Sequence, residues 1–158
     1  MNPRKNIGLV AHDNRKKDLI EWVEWNYETL QPHKLICTGT TGRLVKEAID
    51  AKLASAKDRK VSPEIQLLKS GPLGGDQQMG ALIADGQVDL LIFLWDPMSP
   101  HPHDVDVKAL LRLAMVYNLP MACNRSTADF LISSPLLSSA YKPVAKDYGE
   151  YLTRDVVG

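Results

Sequence analysis

Long apolar runs are missing from this chain of 158 residues. None approaches the ~20 residues that a helix needs to cross a bilayer, so a membrane-spanning protein is not expected. The N-terminal Met1-Asn2-Pro3-Arg4-Lys5 leads only into the short stretch Ile7 to Ala11 before His12, which is too brief for a secretory signal. Cysteine is scarce. Cys37 and Cys123 both sit in apolar, strand-like runs, which reads as buried free thiols in a reducing compartment and not as a disulfide framework. A cytoplasmic protein is expected. Neither charge is in excess, with 19 basic against 19 acidic residues and no basic block, which argues against a nucleic-acid surface. Repeats and low-complexity tracts are also absent, and the length fits one domain spanning residues 1–158.

What is present is an alternation. Strand signals recur at Ile7 to Ala11, Lys34 to Thr38, Ile65 to Leu68, Val88 to Leu94 and Met121 to Cys123. Helical periodicity fills the gaps: Asp18 to Leu30 carries Leu19, Ile20, Val23, Tyr27 and Leu30, and further stripes fall at Leu44–Ile49, Met79–Ile83 and Val107–Ala114. Alternating strands and helices predict an α/β fold, a mostly parallel five-stranded sheet between two helical layers. Asp89 to Leu94 is almost wholly apolar, as a central strand buried on both faces should be. Ala51 to Pro63, rich in Lys, Asp, Ala and Ser, reads as a helix extension followed by an exposed loop.

In open parallel sheets, ligands bind at the carboxyl ends of the strands, and the polar motifs of this chain fall there repeatedly. Ser70-Gly71-Pro72-Leu73-Gly74-Gly75-Asp76 links a strand to a helix with glycines that let a ligand approach the backbone. Asp76 there is either a base at the mouth of an anion site or a helix N-cap. Thr38-Gly39-Thr40-Thr41-Gly42 supplies hydroxyls and backbone N–H groups before a helix, suited to phosphate or to a Thr cap. It is neither a Walker loop nor a GxGxxG turn, so a dinucleotide is not indicated. Lys16, four residues after His12, reaches a phosphate or stays solvated. His101-Pro102-His103-Asp104-Val105-Asp106 offers metal-ligand chemistry, but a neutral His donating to a substrate oxygen is the better reading, with Asp104 placed to cap the next helix. His12, Asp76, Asp96, His103 and Asp106 are all expected to face one crevice. Carboxylates and imidazoles beside an anion grip suit proton abstraction next to a carbonyl. No Ser lies in a GxSxG elbow and no Cys in a polar loop, so covalent catalysis is not indicated.

Together, Val10-Ala11-His12-Asp13, Thr38 to Gly42, Ser70 to Gln78, Phe93 to Pro97, Pro102-His103-Asp104 with Asp106 to Arg112, and Thr127-Ala128-Asp129-Phe130 resemble the methylglyoxal synthase family, over roughly residues 6–132 and in the family's order. The resemblance implies a flavodoxin-like three-layer sandwich, a cytoplasmic homohexamer, and a carbon–oxygen lyase of methylglyoxal biosynthesis, a glycolytic bypass. It implies conversion of dihydroxyacetone phosphate to methylglyoxal and inorganic phosphate through an enediolate phosphate, with no metal or organic cofactor and with phosphate as inhibitor. By matching position, Asp76 is the base and His103 hydrogen-bonds the substrate oxygens and polarises the carbonyl. Asp106 orients that histidine or assists proton movement, Asp96 orders the pocket, and His12 and Lys16 bind substrate. Thr38, Gly39, Thr40, Thr41, Ser70 and Gly71 hold the phosphate. The sequence departs from the pattern in its long Gly42-to-Ser70 connection and in Arg154, which is displaced from the position of a C-terminal arginine associated with phosphate and a neighbouring subunit. Two other classes compete: a regulatory module that binds a phosphorylated effector, and a metal-dependent lyase or hydrolase using His101, His103 and Asp104.

Overall fold

The computed structural model describes residues 3–55, 61–100 and 102–149. Five strands, β1 (Asn6–Ala11), β2 (Lys34–Cys37), β3 (Glu64–Leu67), β4 (Leu90–Leu94) and β5 (Met121–Ala122), pair in the order β3-β2-β1-β4-β5 with every ladder parallel. The helices are α1 (Lys16–Trp25), α2 (Tyr27–Leu30), α3 (Gly39–Ser55), α4 (Gly75–Ala84), α5 (Asp104–Val116) and α6 (Arg125–Ser133). The flavodoxin-like three-layer sandwich stands, with a sheet that is wholly and not just mostly parallel.

Strand β4 explains the two cores. Leu90, Ile92 and Leu94 point to one face, where Leu19, Trp22 and Val23 of α1, Val45 and Ile49 of α3, and Ala128 and Ile132 of α6 cover them. Leu91 and Phe93 point to the other, against Met79 and Ile83 of α4 and Val107 and Leu110 of α5. The unbroken apolar run therefore follows from burial on both sides, and all five residues of β4 are buried.

Local chemistry shifts several boundaries. The expected Asp18–Leu30 helix starts at Lys16 and breaks at Asn26. There the Asn26 side-chain amide donates to the Trp22 carbonyl at 2.9 Å, a local bond that competes with the helix ladder. Val88 and Asp89 precede β4 instead of opening it, and the Asp89 carboxylate accepts from the Asn6 backbone N–H at 2.8 Å. Thr38, Leu68 and Cys123 fall just past their strands. Gly39-Thr40-Thr41-Gly42 is the first turn of α3 and not a loop before it. The helix extension into Ala51 to Pro63 runs as far as Ser55, while residues 56–60 lie outside the described set.

The strand order reverses direction at β1, which leaves a crevice at the carboxyl ends of β1 and β4. At the opposite end of the sheet, His33 is 5% exposed and its Nδ1 accepts the Lys5 backbone N–H at 3.0 Å. Burial first, then the charges of Lys5 and Arg4, push its pKa below the ordinary 6.5, with Asp89 pulling upward. A depressed histidine pKa means that the folded chain binds fewer protons than the unfolded one. The stability His33 contributes is therefore fully present above the unfolded value and is lost as pH falls through the folded value. The urea midpoint is expected to drop between about pH 7 and about pH 5, and to drop less steeply in His33→Asn. An unchanged slope in that variant would exclude His33 as the source.

Candidate active site

A cavity of about 350 Å³ opens at the carboxyl ends of β1, β2 and β3. One wall is the first turn of α3. Thr38 and Thr41 are buried there, Thr40 is exposed, and all three line the cavity. The Thr41 hydroxyl donates to the Ala11 carbonyl at 3.4 Å, which orients its oxygen. The start of this 17-residue helix presents backbone N–H groups and the positive end of its dipole, the physical basis for holding a phosphate. Ser70 and Gly71, from the turn between β3 and α4, line the same cavity.

Gly39 does not line it. Its N–H donates to the carbonyls of Leu68 at 3.0 Å and Lys69 at 3.1 Å, so it has no hydrogen to offer a phosphate. A Cβ at Gly39 would meet Ser70 Cα at 2.5 Å. Gly39 therefore lets the two phosphate-side loops lock together, a contact between segments far apart in sequence. Gly39→Ala is expected to cost ~1–3 kcal/mol by overpacking. It should also weaken phosphate binding, because Ser70 must move. A thermal melt and a phosphate titration check both, and a variant with native melting and affinity would remove this role.

The other wall carries the titratable groups. Asp76 is 3% exposed and lies in the first turn of α4. It is not the N-cap: that position belongs to Gly74, whose φ of 107° is open to glycine. His103 is the N-cap residue of α5, without a side-chain cap bond, and is 9% exposed. Its Nδ1 lies 2.8 Å from Asp76 Oδ2. The Asp106 carboxylate, in the first turn of α5, joins them: ligand atoms of Asp76, His103 and Asp106 all lie within 4.8 Å of one another. Gly71 passes over this pair, and a Cβ there would sit 3.2 Å from both Asp76 oxygens and 3.3 Å from His103 Cε1.

With Asp76 ionised, the bridging proton sits on His103 Nδ1. A neutral His103 then offers a lone pair at Nε2, and only its protonated form donates there. This differs from the sequence reading of His103 as a neutral donor, because the partner at Nδ1 fixes the tautomer.

His12 and Lys16 also line the cavity. Lys16 is not solvated. Its side chain is 18% exposed and its ammonium is paired with Asp13, which is 92% exposed. Asp96 is 4% exposed but is not among the lining residues, and neither is Asp106. The Asp96 carboxylate is turned to the Asn14 amide at 2.8 Å and the Met98 backbone N–H at 3.0 Å. Hydrogen bonds from Asn14, the Ser99 hydroxyl and Met98 hold its pKa down to about 2. The Asp96 backbone N–H donates to Nδ1 of His12, which does line the cavity, at 3.1 Å. Sequence reading passed over Asn14, whose partner lies 82 positions away and leaves no local signal.

The grouping of His101, His103 and Asp104 does not form among the described residues. His101 lies outside them, and the Asp104 carboxylate pairs with Lys108 at 3.0 Å instead of capping α5. Among the described residues, Asp76, His103 and Asp106 are the cluster with the spacing to hold a cation. Cys37 and Cys123 are free thiols. Burial pushes the Cys37 pKa up to about 12 and raises that of the half-buried Cys123, so neither is a thiolate nucleophile. Arg154 lies outside the described residues.

Residues 18–123 match the model of the MGS-like domain family. The methylglyoxal synthase of Oleidesulfovibrio alaskensis is 54% identical over 154 residues, covering 98% of this chain and 97% of the relative. That of Leptospira interrogans is 51% identical over 151 residues, covering 96% and 94%. The crystal structure of methylglyoxal synthase from Elizabethkingia anophelis superposes with a TM-score of 0.86 at 47% identity, covering 99% of this chain and 95% of that one.

Proposed function

The chain belongs to the methylglyoxal synthase family of MGS-like domains, and from that premise we propose that it is a phosphate lyase, converting dihydroxyacetone phosphate to methylglyoxal and inorganic phosphate. One observation carries the reading: an Asp76–His103 pair faces a helix N-terminus across a single cavity. A base and a phosphate grip in one cavity are what proton abstraction from a small phosphorylated ketone requires. A regulatory site that only binds phosphate has no use for a buried carboxylate against an imidazole.

Asp76 takes a proton from the hydroxymethyl carbon, and its C–H pair becomes the double bond of an enediolate phosphate. His103 hydrogen-bonds the substrate oxygens through Nε2 and is held by Asp76 at Nδ1, with Asp106 beside it. The enediolate then collapses. The hydroxyl on the deprotonated carbon gives up its proton and its oxygen becomes the aldehyde carbonyl, the double bond moves one carbon along, and the C–O bond to phosphate breaks with its electron pair, the phosphate taking up the released proton. The resulting enol takes up a proton at carbon to give methylglyoxal. Lys16, Thr38, Thr40, Thr41, Ser70 and Gly71 receive the departing dianion, with Gly39 supporting their arrangement. The grip also selects the product. Phosphate leaves only when its C–O bond stands across the plane of the π system, so its orientation decides between elimination and isomerisation.

The activity needs no metal or organic cofactor and resides in a single domain of residues 1–158. The protein works in the cytoplasm, and no helix among the described residues is long and apolar enough to cross a membrane. It assembles as a homohexamer, in keeping with the exposure of Trp25 and Phe130 at 86% and 79%, and phosphate inhibits it. The test is release of methylglyoxal and phosphate from dihydroxyacetone phosphate in the presence of EDTA. Equal release of both products supports the lyase. Loss of turnover on chelation would point to a metal at Asp76, His103 and Asp106. No turnover, together with tight phosphate binding, would point to a regulatory module.

A further inference from the structure

We propose that Asn14, which does not line the cavity, is a positioning residue that fixes the tautomer of His12 through the turn at Asp96, and thereby makes His12 the neutral N–H donor to the substrate carbonyl. The inference rests on the lyase reading above and extends it to residues outside the cavity.

The chain of contacts is short and mostly buried. Asn14, in the 3₁₀ turn Asp13–Arg15, donates its side-chain amide to Asp96 Oδ2 at 2.8 Å and reaches the Ser99 hydroxyl at 3.2 Å. Asp96 Oδ1 accepts the Met98 N–H at 3.0 Å, so both carboxylate oxygens are engaged and the turn after β4 is held shut. In that conformation the Asp96 backbone N–H points at His12 Nδ1, 3.1 Å away, while the His12 N–H meets the Leu94 carbonyl at 3.2 Å. A backbone N–H can only donate, so His12 Nδ1 must be the accepting nitrogen and the ring proton lies on Nε2. The Phe93 ring, 5.3 Å away and nearly perpendicular, fixes the plane of the imidazole.

The contrast with His103 gives this tautomer its chemical meaning. The two imidazoles stand 5.5 Å apart, centroid to centroid, at one cavity. Against an ionised Asp76, 2.8 Å away, His103 donates at Nδ1, so its neutral form carries a lone pair at Nε2. His12 accepts at Nδ1 from an amide, so its neutral form carries a hydrogen at Nε2. The two steps need opposite polarities: enediolate formation a donor for the carbonyl oxygen that gains charge, and phosphate elimination an acceptor for the proton of the neighbouring hydroxyl. The fold sets the two rings in opposite tautomers through groups that never touch substrate. A neutral donor suits an oxygen that becomes an enediolate, since it stabilises developing charge without surrendering its proton. The charged groups around Asn14 and Asp96 are Arg15, paired with Asp18 at 3.7 Å, and Asp13 and Lys16, paired with each other. The low pKa of Asp96 keeps it an acceptor for Asn14 across the working pH range.

The test begins with the tautomer of His12 in the substrate-free wild-type protein, read by long-range ¹H–¹⁵N NMR. Its outcome is therefore separate from that of the methylglyoxal assay. A protonated Nε2 and a bare Nδ1 are expected, and a proton on Nδ1 would overturn the inference even if the lyase reading holds. In Asn14→Ala the ring should become a mixture of tautomers, with kcat lower by ~10- to 100-fold and KM little changed. Asn14→Asp sets two carboxylates face to face. Its kcat should be low at neutral pH and recover as the pH falls and one proton bridges the two side chains, a dependence that Asn14→Ala lacks. If kcat falls and KM rises together in Asn14→Ala with the His12 tautomer intact, or if Asn14→Asp shows no acid-side recovery, Asn14 is only structural and the inference is wrong.

Discussion

Asp76→Asn should leave the fold and phosphate binding in place while turnover falls by ~10³-fold or more. The substitution is nearly isosteric, and the asparagine carbonyl can still accept the His103 Nδ1 proton, so the 2.8 Å contact between α4 and α5 survives. What disappears is the lone pair that takes a proton from carbon. Asp76 is 3% exposed, so little water can stand in for it as a base. The phosphate grip lies on α3 and on the turn at Ser70-Gly71, and it does not depend on the charge at Asp76 for its shape. A product assay paired with a calorimetric phosphate titration separates the two functions. Near-wild-type turnover in this variant would sink the assignment of Asp76 as the base.

Truncation of His103 is the second large effect expected. His103→Ala removes the imidazole that meets the substrate oxygens and leaves the buried Asp76 carboxylate without its neighbour. Turnover should fall by ~10²- to 10⁴-fold, and stability by ~1–3 kcal/mol for a buried group left unsatisfied. Helix α5 should persist, because the His103 side chain makes no capping bond to it. Phosphate binding should weaken far less than turnover. Equal losses in the two would mean that His103 serves the phosphate and not the reacting carbons.

The layers of this fold were legible because burial on two faces writes itself into composition. The unbroken Leu90-to-Leu94 run and the glycine-rich turn before α4 both announce a parallel sheet with a site at its carboxyl edge. The break at Asn26 was not legible from periodicity, because Tyr27 and Leu30 keep the apolar rhythm on the far side of it. Asp76 and Asp104 show the limit of capping rules, since each stands at the start of a helix and neither caps it. Other partners take the carboxylates instead: His103 from a different helix for Asp76, and Lys108, one turn on in the same helix, for Asp104. Gly39 was expected to hold phosphate, but its N–H is taken by the Leu68 and Lys69 carbonyls and it packs against Ser70. Asp96 was expected to face the crevice; its carboxylate is instead turned to Asn14 and its backbone N–H donates to His12. Sequence carries the identity of a residue, and not which of its donors points inward.

The length of α3 also gives the molecule a workable far end. The helix begins at the phosphate grip and runs for 17 residues to Ser55, which sets its last turn about 25 Å from the chemistry at 1.5 Å per residue. Ser55 at that remote terminus and Val61 beyond it are both exposed. A fluorophore or an affinity tag spliced in there would stand clear of substrate entry. The enzyme could then be followed or immobilised without touching any group that grips phosphate or moves a proton.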